Sequence, residues 1–545
     1  MLELYDTTLR DGSQREGITF SLMDKLAIAR KLDDLGVHYI EGGFPGSNPK
    51  DIDFFRRAGE MTWKHATIVA FGGTRRKDTT CDEDANMLAL RAAGTRAVCL
   101  VGKSSAFHVR EILETSLDEN LRMITESIRF LKQSANEVLF DAEHVFDGAQ
   151  EDLDYTLQVL RAAADAGAAC VILCDTNGGT LPADIAAFTR KAREVLPAHV
   201  RLGIHTHNDS DLGTANSLAA VQAGATHVQG TINGYGERCG NANLCAIIPT
   251  LQLKLGMTCL AADKLTQLTD VSRFVAEVAN LSHDGHMAYV GESAFAHKAG
   301  YHSSGMMKNV MSYQHVDPAV VGNVQRILVS EQAGRSSILY KAAQYGVDLR
   351  GTSAQARTII ERIKEMEHRG FQFEVAEASL ELLLRRSEPA YRPPFELLDF
   401  TVLAERRHDL PILSEATVKV RVRGEIRHTA GDGNGPVNAL DAAMRKALCE
   451  FYPQIASIRL DDYKVRILDG SAGTAAATRV LIGSTDGDRS WSTVGGGPNI
   501  IEASWFALAD SYEYALLTAD PARRVGGTDA SFAGGTTNLG TAPMH

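Results

Sequence analysis

Short apolar runs recur along the first 260 residues, each followed by a stretch with a helical rhythm. The runs fall at residues 4–8, 39–42, 67–71, 97–101, 138–140, 170–174, 201–205 and 226–231, with successive starts 25 to 41 residues apart. Each is short and rich in β-branched or apolar side chains, as a strand buried on both faces requires. Residues 24–35 show the helical counterpart, with Leu26, Ile28, Ala29, Leu32 and Leu35 on one side. Ser21 and Asp24 offer a capping box before that helix and Gly36 a stop after it. Eight strand–helix units predict an α/β fold, a closed (β/α)8 (TIM) barrel over residues 1–260. A doubly wound open sheet is the alternative, because periodicity does not establish closure.

The pattern changes beyond residue 260. Residues 261–320 read as a helical linker subdomain rich in His, Gly and Met, and residues 321–394 as a small, highly charged helical subdomain. Arg392-Pro393-Pro394 is a linker signal. Residues 395–523 read as an α+β regulatory domain, in which 417–426 alternates Val with Lys and Arg like one half-exposed strand. There, Gly433-Asn434-Gly435-Pro436 and Gly495-Gly496-Gly497-Pro498 each precede a helical stretch, at 439–448 and 501–516. Paired helix starts of this kind, at Gly435, Pro436, Gly497 and Pro498, are candidates for holding a carboxylate; two plain turn-plus-helix connections are the alternative. Residues 524–545, rich in Gly, Thr and Ala, are expected to be a disordered tail.

Charge and cysteine narrow the classes. The 545-residue chain has 56 Lys and Arg against 68 Asp and Glu, a net charge of −12, which argues against nucleic acid or an anionic membrane as partner. Eight scattered cysteines without a Cys-x-x-Cys pair predict a reduced, cytoplasmic protein and no zinc–thiolate knot. No run of about 18 apolar residues predicts a membrane span, and the first residues carry no secretory pattern.

Chemistry concentrates where the strands end. The first end reads Asp6-Thr7-Thr8-Leu9-Arg10-Asp11-Gly12, the fifth Asp141-Ala142-Glu143-His144, the sixth Asp175-Thr176-Asn177 and the seventh His205-Thr206-His207-Asn208. His205 and His207, two apart, share one strand face and could chelate a metal or be a hydrogen-bonded core pair. Asp11 and Asn241 could add oxygen ligands, a mixed set that favours Mn²⁺, Mg²⁺, Co²⁺ or Zn²⁺ with open positions. Arg10 could stabilise a developing oxyanion or merely close the barrel as an ion pair.

Together with Gly234-x-Gly236-Glu237-Arg238-x-Gly240-Asn241, these motifs resemble the metal-dependent aldol-type barrel enzymes: isopropylmalate, homocitrate and citramalate synthases and hydroxymethylglutaryl-CoA lyase. The Gly-Glu-Arg-x-Gly-Asn loop is similar to the synthase branch. Residues 291–302 resemble its post-barrel subdomain and the last 150 residues its amino-acid-sensing domain. Within the family the resemblance is to citramalate synthases of the longer type. It implies a divalent metal on Asp11, His205, His207 and Asn241, Arg10 at the ketone oxygen of a 2-oxo acid, and Thr176 at its carboxylate. Glu143 and His302 become candidates for removing a methyl proton of acetyl-CoA, with Tyr313 near His302. The implied substrates are pyruvate and acetyl-CoA, with 2-oxoisovalerate or a homocitrate-type acceptor as alternatives. The implied regulator is isoleucine and the implied assembly a homodimer in which the partner delivers His302. Asp141 is the unexpected residue, because the resemblance places it beside the acceptor's side chain, where a carboxylate suits pyruvate's methyl group poorly.

Overall fold

The computed structural model describes residues 2–519, except 331–332, 348, 350–352, 407 and 409–411. The expected tail at 524–545 lies outside the described residues. The chain divides into two compact units, Met1–Phe295 with Gln314–Gln325, and Ala296–Tyr313 with Arg326–His545.

The first unit is a closed barrel of eight parallel strands paired in sequence order. The strands are β1 (Glu3–Asp6), β2 (Tyr39–Gly43), β3 (Thr67–Gly73), β4 (Ala97–Lys103), β5 (Glu137–Glu143), β6 (Cys170–Asp175), β7 (Arg201–Thr206) and β8 (His227–Gly230). β8 pairs back onto β1, Leu4 opposite Val228, which excludes the open sheet. The helix Leu22–Leu35 forms for the expected reason: Ser21 and Asp24 cap each other's backbone and Gly36 ends it in the left-handed region. The residue-260 boundary falls inside this unit. Helix Leu268–Val278 buries Leu268, Val271 and Val275 in the same core as the barrel helices.

The barrel interior is filled by Tyr5, Tyr39, Val69, Cys99, Leu139, Cys170, Ile172 and Cys174. The period-2 alternation of strands then aims Glu41, Asp141, His205, His207 and Gln229 inward as well. Around the barrel, Lys25 is buried and donates to Gly42 O over 3.0 Å and to the Asp51 carboxylate over 2.5 Å.

The second unit contains two antiparallel three-stranded sheets, each with a helix after its last strand. The first is Phe395–Glu405, Leu413–Val422 and Glu425–Gly433, followed by helix Pro436–Leu448. The second is Arg459–Ile467, Thr478–Thr485 and Ser490–Gly497, followed by helix Ile500–Thr518. The alternating run at 417–426 is therefore not one strand. Val422 pairs with Glu425 across a turn where Arg423 and Gly424 both take positive φ, so the run spans a hairpin. Helix Ser353–His368 and helix Glu377–Arg385 belong to a neighbouring core with Ile359, Ile363, Phe373 and Leu380.

Asp51→Ala strands a buried lysine without its counter-charge, at a cost of about 3–5 kcal/mol. Differential scanning calorimetry is expected to show the barrel transition lowered, while Asp53→Ala, on the exposed face of the same helix, leaves it unchanged.

Candidate active site

The first strand end builds the site. β1 stops at Asp6 and the chain turns tightly, with Arg10 N and Gly12 N both donating to Thr7 O. That turn brings Arg10 and Asp11 over the barrel mouth. Arg10 Nε pairs with Glu41, its Nη1 lies 3.3 Å from Asp11 Oδ2, and its Cζ sits 3.8 Å from the Phe71 ring centre. Glu41 is fully buried and also accepts from the Tyr5 hydroxyl and, over 2.7 Å, from Thr7 Oγ1. The guanidinium is thus held from three sides, and its exposed edge is left as a fixed cation.

Asp11, His205 and His207 converge. His205 Nε2 is 3.4 Å from Asp11 Oδ2 and 3.3 Å from His207 Nε2. Such spacings are those of neighbouring ligands about 2.1 Å from one ion. Burial raises a carboxyl, but Arg10 and His205 outweigh it and hold Asp11 well below the usual range. Burial and the neighbouring His205 push His207 down to about 4, so its lone pair is free at neutral pH. Asn241 is paired through its backbone with His207. It is 2 % exposed, and its Oδ1 has no hydrogen-bond partner among the described residues. A buried amide oxygen left unpaired in the segment bridged to His207 is a candidate further ligand for a hard or borderline divalent cation.

The Gly-rich loop 233–243 places Asn241. A Cβ on Gly236 would lie 2.1 Å from Asn241 Nδ2, and one on Gly240, at φ +96°, would lie 2.1 Å from Gly234 O. Only glycine lets the loop fold back this closely. Arg238 ties the loop down, binding Asp209 at 2.7 Å and donating to Thr176 O over 2.8 Å.

Glu143 ends β5, with one carboxylate oxygen paired to Lys103 and the other 4.0 Å from His144 Nε2. Thr176 Oγ1 accepts from His144 N over 2.9 Å, which leaves its own proton free to donate. Asp141 is 3 % exposed and accepts from Gln229 Nε2 over 3.1 Å, and burial pushes it up to about 6. His302 and Tyr313 belong to the second unit, where their rings stack at 4.3 Å. Sequence reasoning missed Glu41, Gln229 and Lys103. Glu41 and Gln229 could have been flagged as lone polar residues inside apolar strands.

In the second unit the two glycine-preceded helices are not alike. Gly435 caps helix Pro436–Leu448 with no side chain, beside a cavity of about 400 Å³ that reaches Asp441, Arg445 and Tyr463. Gly497 ends a strand, and Asn499 is the residue that caps helix Ile500–Thr518, its side chain accepting from Ile501 N and Glu502 N. The two helix starts therefore differ: after Gly497 and Pro498, the amides of Ile501 and Glu502 are already taken by Asn499.

Residues 1–275 match the HMGL-like family, 289–370 the homocitrate synthase post-HMGL domain-like family and 374–516 the LeuA allosteric (dimerisation) domain. The chain belongs to the HMGL-like family, with the citramalate synthases. It is 52% identical to the (R)-citramalate synthase of Aquifex aeolicus over 94% of this chain and 97% of that protein. It is likewise 52% identical to the (R)-citramalate synthase of Geobacter sulfurreducens over 95% and 98%. A 2-isopropylmalate synthase of Methylorubrum populi is more distant, at 31% identity over 92% of each chain. Metal dependence comes with this family, and Asp11, His205 and His207 form a cluster that could hold an ion.

Replacing Glu41 by Gln weakens the grip on Arg10 without removing any group at the barrel mouth. Misplacement of an oriented group by about 1 Å costs roughly 100-fold. Steady-state kinetics on the Glu41→Gln protein should show a kcat loss of that order with KM for the acyl donor little changed.

Proposed function

We propose that this protein condenses acetyl-CoA with pyruvate to give (R)-citramalate and free CoA, in the route that leads to isoleucine. The reading is carried by an intact set of inward-facing groups in a chain half identical, over nearly its full length, to (R)-citramalate synthases. Asp11, His205, His207 and Asn241 would hold a divalent ion, Mn²⁺, Mg²⁺, Co²⁺ or Zn²⁺, which supplies Lewis acidity toward the oxygens of the 2-oxo acid.

The chain's own residues do the rest. Thr176 donates its free hydroxyl proton to the carboxylate of the 2-oxo acid. Glu143, or His302 with Tyr313 delivered by the partner copy of the homodimer, removes a proton from the methyl group of acetyl-CoA, a weakly acidic position that needs a placed base. The resulting carbon nucleophile forms the new bond to the ketone carbon of pyruvate, and the ketone's π electrons move onto its oxygen. Arg10, fixed by Glu41, faces that developing negative charge. Proton return gives the tertiary alcohol, and water then cleaves the thioester to a carboxylate and the CoA thiol.

The regulatory reading rests on the cavity at Gly435 and Pro436. Helix Pro436–Leu448 starts without a side-chain cap, so its first amides are available to a carboxylate. Asp441 stands in the same cavity with Arg445 at 2.8 Å. An α-amino acid brings a carboxylate for the helix start and an ammonium for Asp441, and isoleucine, the end product, fits by that chemistry. The LeuA-type domain suggests a dimer, and exposed Leu398, Leu403, Ile426, Val465 and Ile467 on its strands support a homodimer.

A panel of 2-oxo acids with acetyl-CoA, read as free thiol in the presence of Mn²⁺, tests the reaction. Pyruvate should exceed 2-oxoisovalerate and 2-oxoglutarate in kcat/KM; a preference for 2-oxoisovalerate would replace the reading with isopropylmalate synthesis. Chelation should abolish thiol release, and Arg10→Ala should lower kcat by at least about 100-fold with the fold retained. Isoleucine should inhibit the wild type and lose that effect in Asp441→Ala; leucine inhibition in its place would reassign the regulator.

A further inference from the structure

We infer that Gln229 and Asp141 form a positioning relay that decides which nitrogen His205 offers to the ion, an inference that rests on the metal reading above. His205 Nδ1 lies 2.8 Å from Gln229 Oε1, and Gln229 Nε2 donates to Asp141 Oδ1 over 3.1 Å. The three residues come from β7, β8 and β5 and are 4 %, 0 % and 3 % exposed, so water cannot replace either bond.

The logic runs from the acid inward. A carboxylate only accepts hydrogen bonds, so the amide of Gln229 must turn its NH₂ toward Asp141. An amide has one donor end and one acceptor end, so its oxygen then faces His205. That oxygen needs a proton opposite it, which places the hydrogen of His205 on Nδ1. Nε2 is left with the lone pair, and Nε2 is the atom beside Asp11 Oδ2 and His207 Nε2. The opposite amide orientation would set the amide oxygen against the Asp141 carboxylate, two acceptors with no proton between them. Ligating histidines are commonly oriented by such outer partners; here the partner is itself oriented by a second residue across the barrel.

This gives the acid at position 141 a role. Its carboxylate is committed to Gln229, with the Cys99 thiol as a second hydrogen-bond neighbour. It therefore need not oppose the methyl group of the acceptor. Gln229 and Asp141 are positioning residues, because they act through His205.

The test uses the full-length protein and two readouts other than turnover. In Mn²⁺ titration calorimetry, Gln229→Leu should weaken binding by about 10–100-fold. Asp141→Leu, which frees the amide to turn, should weaken it in the same direction, and Asp141→Asn, which still offers an oxygen, should restore it. In ¹⁵N-histidine NMR of the Zn²⁺-loaded wild type, His205 should carry its proton on Nδ1. A wild-type spectrum with the His205 proton on Nε2 overturns the relay without any variant, as does unchanged Mn²⁺ affinity in a folded Gln229→Leu protein. A wild type that binds no Mn²⁺ overturns the metal reading and the relay together, which distinguishes the two failures.

Discussion

The fully buried carboxylate of Glu41 is the constraint on which the barrel mouth depends. An ion taken out of water costs several kcal/mol unless every lone pair is answered. Here Tyr5, Thr7 and Arg10 answer it from β1 and the turn that follows. Satisfying Glu41 thereby fixes Arg10, and Arg10 stabilises the ionised Asp11, which stands beside His205. One buried charge thus orders a chain of groups that would otherwise repel or scatter. Charge-assisted hydrogen bonds of this kind are short and directional.

The barrel interior is graded along its axis. At the floor, Arg201 binds Glu3 at 2.6 Å and Glu137 at 2.5 Å, with the Tyr39 hydroxyl at 2.8 Å. At the mouth lie Glu41, Arg10 and the histidines. Between them sit Val69, Leu139 and Ile172 with the thiols of Cys99, Cys170 and Cys174. Burial raises all three thiols well above their ordinary values, so they stay protonated and fill space. Three of the eight cysteines that carried no chemical signal in the sequence are therefore packing between two ionic layers.

Legibility followed locality. The capping of helix Leu22–Leu35 by Ser21 was readable because all the partners lie within a few residues. The strands were readable because parallel strands buried on both faces are continuous apolar runs. The role of Glu41 was not, because its partners are more than thirty residues away and a lone acid in Tyr39-Ile40-Glu41 looks like an interruption. Gln229 has the same problem, with Asp141 88 residues distant. The hairpin inside the run at 417–426 was hidden because Val418, Val420, Val422 and Ile426 keep the even positions and charged residues the odd ones on either side of Gly424, and alternation alone cannot mark where a strand reverses.

The two sheet-plus-helix halves of the second unit differ by one capping side chain. A Gly-Pro pair stands at the start of each helix, yet Asn499 Oδ1 takes the amides of Ile501 at 2.8 Å and Glu502 at 3.3 Å. Those donors have no capacity left for a ligand. At Gly435 the corresponding cap has no side chain, and the nearby amide oxygen of Asn438 instead accepts from Asn434 N. A simple anion would meet Asp441 in the same cavity, beside its ion pair with Arg445 and its hydrogen bond from the Tyr512 hydroxyl. A zwitterion meets both ends with opposite charge. In a chain of net charge −12, selective binding of small anions and zwitterions cannot come from the overall field. It has to be built group by group, as proposed for Arg10 in the barrel and for Gly435 in the second unit.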